Sequence, residues 1–182
     1  MSIVVGLDIG VGGGVVALLG RQVLLAERMP TRRVGHRHQT HGSRLAELYQ
    51  RLQAHGLPIV TYHERVFAPQ KGNGAISLGS AAGIAIDRAL DFGAVHQVEA
   101  RVWQRHLDCH HKDYDERKRR AIDHVKRHWP AINLSPGRCT SPQSGIADAC
   151  CIAEYGQAVE LGTVLRLAKR SKPKTVKRRK GA

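Results

Sequence analysis

Three acidic residues stand where the surrounding sequence gives an acid no role in solubility. Asp8 lies inside GLDIGVGGGVVAL (6–18), Glu64 follows the apolar alternation IVTYH (59–63), and Asp148 lies inside GIADACCIAEYG (145–156). A carboxylate buried without a partner costs several kcal/mol. Three that converge repel one another unless a cation lies between them. Hard oxygen donors of this kind suit Mg²⁺ or Mn²⁺. Such ions activate water and stabilise the leaving oxygen in phosphodiester cleavage. Each acid alone also has a plainer reading: Asp8 as a turn residue, Glu64 as the ion-pair partner of Arg65, Asp148 as a helix N-cap.

The charge of the chain points the same way. Lys and Arg number 29 against 15 Asp and Glu, a formal net charge of +14 on 182 residues. A balance that basic attracts polyanions, with nucleic acid ahead of anionic membrane because no basic amphipathic helix with bulky apolar anchors is evident. Aromatic residues are only 4% of the chain, which favours phosphate contacts and shape over base stacking. GVGGG is followed by no Lys-Ser/Thr, so it does not read as a nucleotide P-loop. Cys109, Cys139, Cys150 and Cys151 form no CxxC pair, and the spacing of His106, Cys109, His110 and His111 matches no standard zinc finger. No apolar run reaches the roughly 20 residues needed to span a bilayer. The first strand begins almost at the N-terminus, which leaves no room for a cleavable leader, and a cytoplasmic location in a bacterium or a phage-infected host is expected.

The elements that must position the acids follow from periodicity. Residues 3–8, 14–20 and 22–28 read as three consecutive antiparallel strands, and 29–42 as a polar, His-rich basic loop. Ser43 is placed to cap a helix over 44–55, on which Leu45, Leu48 and Leu52 form one apolar stripe. Residues 59–63 form a strand that delivers Glu64 at its end. A basic loop (68–74), a helix (75–92), a short strand (95–100) and a helix or turn (101–107) follow. A charged helix (113–129), a loop (130–144) and a helix carrying Asp148 (145–162) complete the domain. The fold class is α/β, a mixed five-stranded sheet with helices on both faces. Sites in open sheets of this type lie at strand carboxyl ends, where Asp8 and Glu64 both fall. Residues 1–165 form the domain, and 166–182 are expected to be a basic disordered tail.

The order GLDIGVGGGVVAL, YHERVFAPQKGNGAISLGSAAGIAIDRAL, VWQRHL and SGIADACCIAEYG resembles the RuvC-type Holliday junction resolvases, in a flavour similar to the phage and organellar branch. The resemblance covers roughly residues 3–157 apart from the 29–42 loop, and it implies an RNase H-like fold. It also implies that Asp8, Glu64 and Asp148 bind the divalent metal, with Asp8 bridging. A metal-activated water would attack the phosphorus in line, the 3′ oxygen would leave and a 5′ phosphate would remain. The family places basic residues near the start of the 113–129 helix against the scissile phosphate. Lys118 is the best match, with Lys112 and Arg105 as neighbours. The loop holding Gln70, Lys71 and Asn73 is implied to reach the junction centre. One departure stands out. The family has a fourth acid or a His three to five residues before the last Asp, and this chain has Gln143, Ser144 and Gly145 there.

The expected function is therefore a Mg²⁺- or Mn²⁺-dependent endonuclease that resolves four-way DNA junctions by paired symmetric nicks. Two equivalent strands must be cut, so a two-fold homodimer matches the substrate. Ala75, Gly79, Ala82, Gly83 and Ile86 recur at helical spacing and are the candidate contact. Two alternatives stay open: another RNase H-like nuclease acting on hybrids or flaps, and a junction-binding protein that does not cut.

Overall fold

Alternation along the first strand divides the molecule. In β1 (Ile3–Asp8), Ile3, Val5 and Leu7 enter one buried cluster while Val4 enters another on the opposite face. Gly6 and Asp8 share the face of Val4. The computed structural model describes residues 1–65 and 73–163. β2 (Gly14–Leu19) and β3 (Gln22–Arg28) extend the sheet antiparallel. β6 (Ile59–Glu64) and β7 (Gly93–Val98) extend it in parallel on the other side, giving the order β3-β2-β1-β6-β7.

Residues 29–42 are not a loop. They contain a separate two-stranded ribbon, β4 (Thr31–Val34) paired antiparallel with β5 (Arg37–Thr40) around Gly35, whose φ is +59°. The first helix, α1 (Gly42–Gln53), starts earlier than Ser43 would set it. The His41 ring caps it by accepting from the Arg44 backbone N–H at 3.2 Å. Its Leu45, Leu48, Tyr49 and Leu52 are buried against the Ile3/Val5/Leu7 face, at about 1.5–3 kcal/mol each. α2 (Asn73–Leu90) covers the same face through Ala81, Ala85 and Ala89.

The opposite face carries α3 (Ala100–His106), α4 (Tyr114–His128) and α5 (Ser144–Glu160). α5 is apolar almost all round and lies directly on β1. A Cβ on Gly6 would stand 2.0 Å from the Ala149 carbonyl oxygen, so only glycine allows this approach. At the helix start, Gly145 bridges Gly13 in the β1–β2 turn. These two glycine contacts fix the rotation of α5 over the sheet. Among the described residues no helix is long and apolar enough to cross a membrane. The expected tail at 166–182 lies outside the described residues.

Candidate active site

Strand register sets the first two acids side by side. Leu7 is paired with His63 in parallel, so the next residues along, Asp8 and Glu64, end neighbouring strands. Val4 and Tyr62 both face α5, and alternation puts Asp8 and Glu64 on that same face. α5 supplies the third acid. Asp148, 6% exposed, sits in its second turn, one residue before the Ala149 carbonyl that rests on Gly6. The three acids line one open cleft of about 580 Å³ at the carboxyl edge of the sheet.

Each carboxylate is held differently. Asp148 forms an ion pair with the Lys118 ammonium from α4. Glu64 accepts a hydrogen bond at 3.1 Å from the indole N–H of Trp103, a fully buried side chain on α3. Among the described residues Asp8 has no such single partner. Burial first, then the negative charges of Asp148 and Glu64, push its carboxyl up to about 7 against an ordinary 3.8, with Lys118 pulling the other way. Glu64 is also raised by burial, with the Trp103 bond opposing. Asp148 stays above the ordinary range because burial outweighs the pull of Lys118. Burial would lower Lys118, but Asp148 and Asp8 outweigh it and raise the ammonium. The pair thus pulls both ways in the expected sense, and at Asp148 burial wins.

Cations from α3, α4 and the connection between them wall this acidic centre on one side. Arg105, Lys112 and Lys118, expected from the sequence, line the cleft, and so do Arg101 and Arg117, which were not expected. Gln104, His110, His111 and Tyr114 complete the wall. The connection from α3 to α4 is folded back toward the acids. Asp108 takes a left-handed conformation (φ +54°), tolerable for Asp. Arg117 then donates to the His111 and Lys112 carbonyls at 3.1 and 3.2 Å. Asp113 caps α4 by accepting from the Glu116 N–H at 2.8 Å, which fixes where Lys118 emerges.

The remaining expected residues divide. Gln70 and Lys71 lie outside the described residues. Asn73 and Ala75 open α2, and their side chains are likewise outside the description. Gly79 and Gly83 are exposed, and a Cβ on either would meet nothing within 4 Å. Ala82 and Ile86 are half-buried against the chain's own core. Gln143, Ser144 and Gly145 do not line the cleft. Gly145 has no room for a side chain, since a Cβ there would stand 2.1 Å from the Gly12 carbonyl oxygen.

The donor set suits a hard divalent cation. Three carboxylates face one cleft, their mutual repulsion is only partly relieved, and an ammonium already pairs with one of them. As the side chains lie, no three His, Cys, Asp or Glu groups among the described residues are gathered closely enough to enclose one ion.

No protein-family model and no curated protein matches the chain. Solved structures do. A Thermus thermophilus RuvC in complex with a Holliday junction substrate superposes with a TM-score of 0.52 at 16% identity, covering 90% of this chain and 98% of that one. A Thermus thermophilus RuvC structure superposes with the same score at 20% identity, covering 88% and 97%. A likeness at these identities is one of architecture: the chain has a RuvC-like, RNase H-like fold, a mixed five-stranded sheet with helices on both faces.

Proposed function

We propose that the chain is a metal-dependent endonuclease that resolves four-way DNA junctions, of the phage and organellar flavour of the RuvC type. The observation that carries the reading is the cleft itself. Asp8, Glu64 and Asp148 come from three distant parts of the sequence to one sheet edge, under a wall of five Lys and Arg side chains. The fold of the RuvC structures supports it, one of which holds a Holliday junction substrate.

Asp8, Glu64 and Asp148 would hold Mg²⁺ or Mn²⁺, which when bound supplies an activated water and stabilises the leaving oxygen. The protein's own groups do the rest. Arg101, Arg105, Lys112 and Arg117 bind backbone phosphates and orient the strand over the acids. Lys118, released from Asp148, places its ammonium against the scissile phosphate as negative charge develops there. Trp103 keeps the Glu64 carboxylate aimed at the cleft. Two such sites in a homodimer would match the two-fold symmetry of the junction. The exposed Gly79/Gly83 face of α2, beside Ile76 at 75% exposure, is the proposed contact.

Gln143, Ser144 and Gly145, at the positions where a fourth ligand is expected, do not line the cleft, and this observation favours a second reading: a protein that binds junctions without cutting them. One variant separates the two. Asp8→Asn should retain junction affinity within a few-fold and lose cleavage. Cleavage by Asp8→Asn at the wild-type rate would remove the site assignment.

A further inference from the structure

We infer that the β4–β5 ribbon is a second phosphate-binding surface, one that holds a DNA arm on the side of the acidic centre away from α3 and α4. The inference rests on the reading of the cleft as a DNA-cleaving site.

Charge comes first. From Arg28 to Ala46 the sequence contains no acidic residue but five Arg and three His. Residues 32–39 of the ribbon are all exposed. Register pairs Arg32 with Gln39 and Val34 with Arg37, so Arg32, Arg37 and Gln39 share one face, with Arg33 and His38 on the other. Arg44, Arg51, Arg88, Arg119 and Arg120 are paired with carboxylates on the protein surface. Among the described residues no ion pair joins Arg32, Arg33 or Arg37 to an acid. Among the described residues the one bond given by these three guanidinium groups goes from Arg33 to the Gly35 carbonyl inside the turn.

Position comes second. Asp8 is paired with Gly14 and Gly14 with Arg28, so the end of β3 lies in the same row as the acids, two strands away. At the usual interstrand spacing that is roughly 10 Å. The ribbon starts three residues later and is tied to this edge. The Met29 N–H donates to the Gly13 carbonyl at 2.9 Å, and the His41 N–H closes the root on the Pro30 carbonyl at 2.8 Å. Arg37 to Thr40 share a groove with Gly10 and Val11, the residues just after the acid-bearing strand. β5 packs on α2, whereas the cleft cations come from the α3–α4 side. The acids therefore lie between two basic surfaces.

A two-stranded ribbon has little stability of its own. Charged edges do discourage sheet-to-sheet aggregation, but that purpose needs neither an acid-free stretch of this length nor a seat beside the acids. A backbone arm of DNA supplies what the three arginines lack, a row of anionic oxygens.

The test is the salt dependence of DNA binding by the full chain in EDTA, with a four-way junction and a linear duplex of one arm's sequence. Three phosphate contacts contribute about 2.7 to the slope of log affinity on log salt. Replacing Arg32, Arg33 and Arg37 together by Gln should lower the slope by about that amount on both substrates. Between 50 and 200 mM salt, the loss of affinity should then be about 40-fold smaller than for wild type. Lys at the same three positions should restore the slope. A charge-matched control, Arg51→Gln with Lys126→Gln and Arg127→Gln, should change it by less than about 1. Circular dichroism verifies that each variant is folded. A wild type that binds and a folded triple Gln variant with an unchanged slope would overturn this proposal alone. A slope change equal to the control's would do the same. A wild type that binds no DNA would overturn both this proposal and the nuclease reading.

Discussion

Replacing Asp8 by Asn should stabilise the metal-free protein at pH 8 and leave its stability at pH 4 almost unchanged. Burial, helped by Asp148 and Glu64 and opposed by Lys118, raises the Asp8 carboxyl to about 7 in the folded protein, against 3.8 ordinarily. Between those values the folded state keeps a proton that the unfolded chain releases. Unfolding then gives up protons, so stability is full below about pH 4 and is lost as pH rises to about 7, after which it levels off. A gap of about three pH units corresponds to about 4 kcal/mol. Asn is neutral and nearly isosteric, so it carries no such cost at any pH. Urea unfolding in EDTA at pH 4, 6 and 8 gives the difference directly, provided the denaturant slopes of the two proteins agree. The variant's advantage should grow from near zero to about 4 kcal/mol across the series. Carboxylates outside the cleft titrate alike in both proteins and cancel, whereas Glu64, Asp148 and Lys118 feel the Asp8 charge, so the difference reports the acidic centre as a coupled set. Adding Mg²⁺ at pH 8 should narrow the gap by stabilising only the wild type. A difference independent of pH, or a variant less stable than wild type at pH 8, would refute the reasoning that Asp8 is a buried, uncompensated carboxylate.

Trp103→Phe removes the indole N–H from Glu64 at the same aromatic position. Cleavage should fall about 10- to 100-fold with junction affinity kept; an unchanged rate in single-turnover kinetics would show that the bond does not position Glu64. Gly145→Asp should not supply a fourth ligand, because the new Cβ would meet the Gly12 carbonyl oxygen. Urea unfolding should show a loss of about 3 kcal/mol or more, and a stable variant with raised activity would contradict it. Gly83→Glu adds a charge on the open face of α2. Sedimentation should then report folded monomers, and a variant that stays dimeric would move the contact elsewhere.

The sheet and the acids were legible because burial leaves a signature. Ile3-Val4-Val5 and Ile59-Val60-Thr61 mark strands, and both strands run out at an acid. GIADACCIAEYG is apolar almost all round apart from Asp148 and Glu154, which marks a deeply buried helix, and Gly6 lets it sit directly on β1. The β4–β5 ribbon was illegible for the opposite reason. Its residues 32–39 are exposed on both faces and pair only with each other, so no apolar alternation records it. His41 as a cap was hidden behind Ser43, a commoner capping residue. In the cleft, Arg105, Lys112 and Lys118 were found by motif position. Arg101 and Gln104 were not, because they reach the cleft only through the packing that sets Trp103 of α3 against Glu64, nor were Tyr114 and Arg117, which follow the turn at Asp108. Trp103 is buried core, and its indole N–H reaches Glu64 only through the packing of α3 on the sheet.

The central claim is that this cleft cuts branched DNA with a divalent metal. The most direct measurement incubates the full chain with a four-way junction labelled in turn on each strand, beside a matched linear duplex and an RNA–DNA hybrid, in Mg²⁺, Mn²⁺ or EDTA. Paired nicks at symmetric positions on two opposing strands of the junction, with 5′ phosphates, are expected in either metal and none in EDTA. Preferential cutting of the hybrid, or tight junction binding with no product in Mn²⁺, would contradict it.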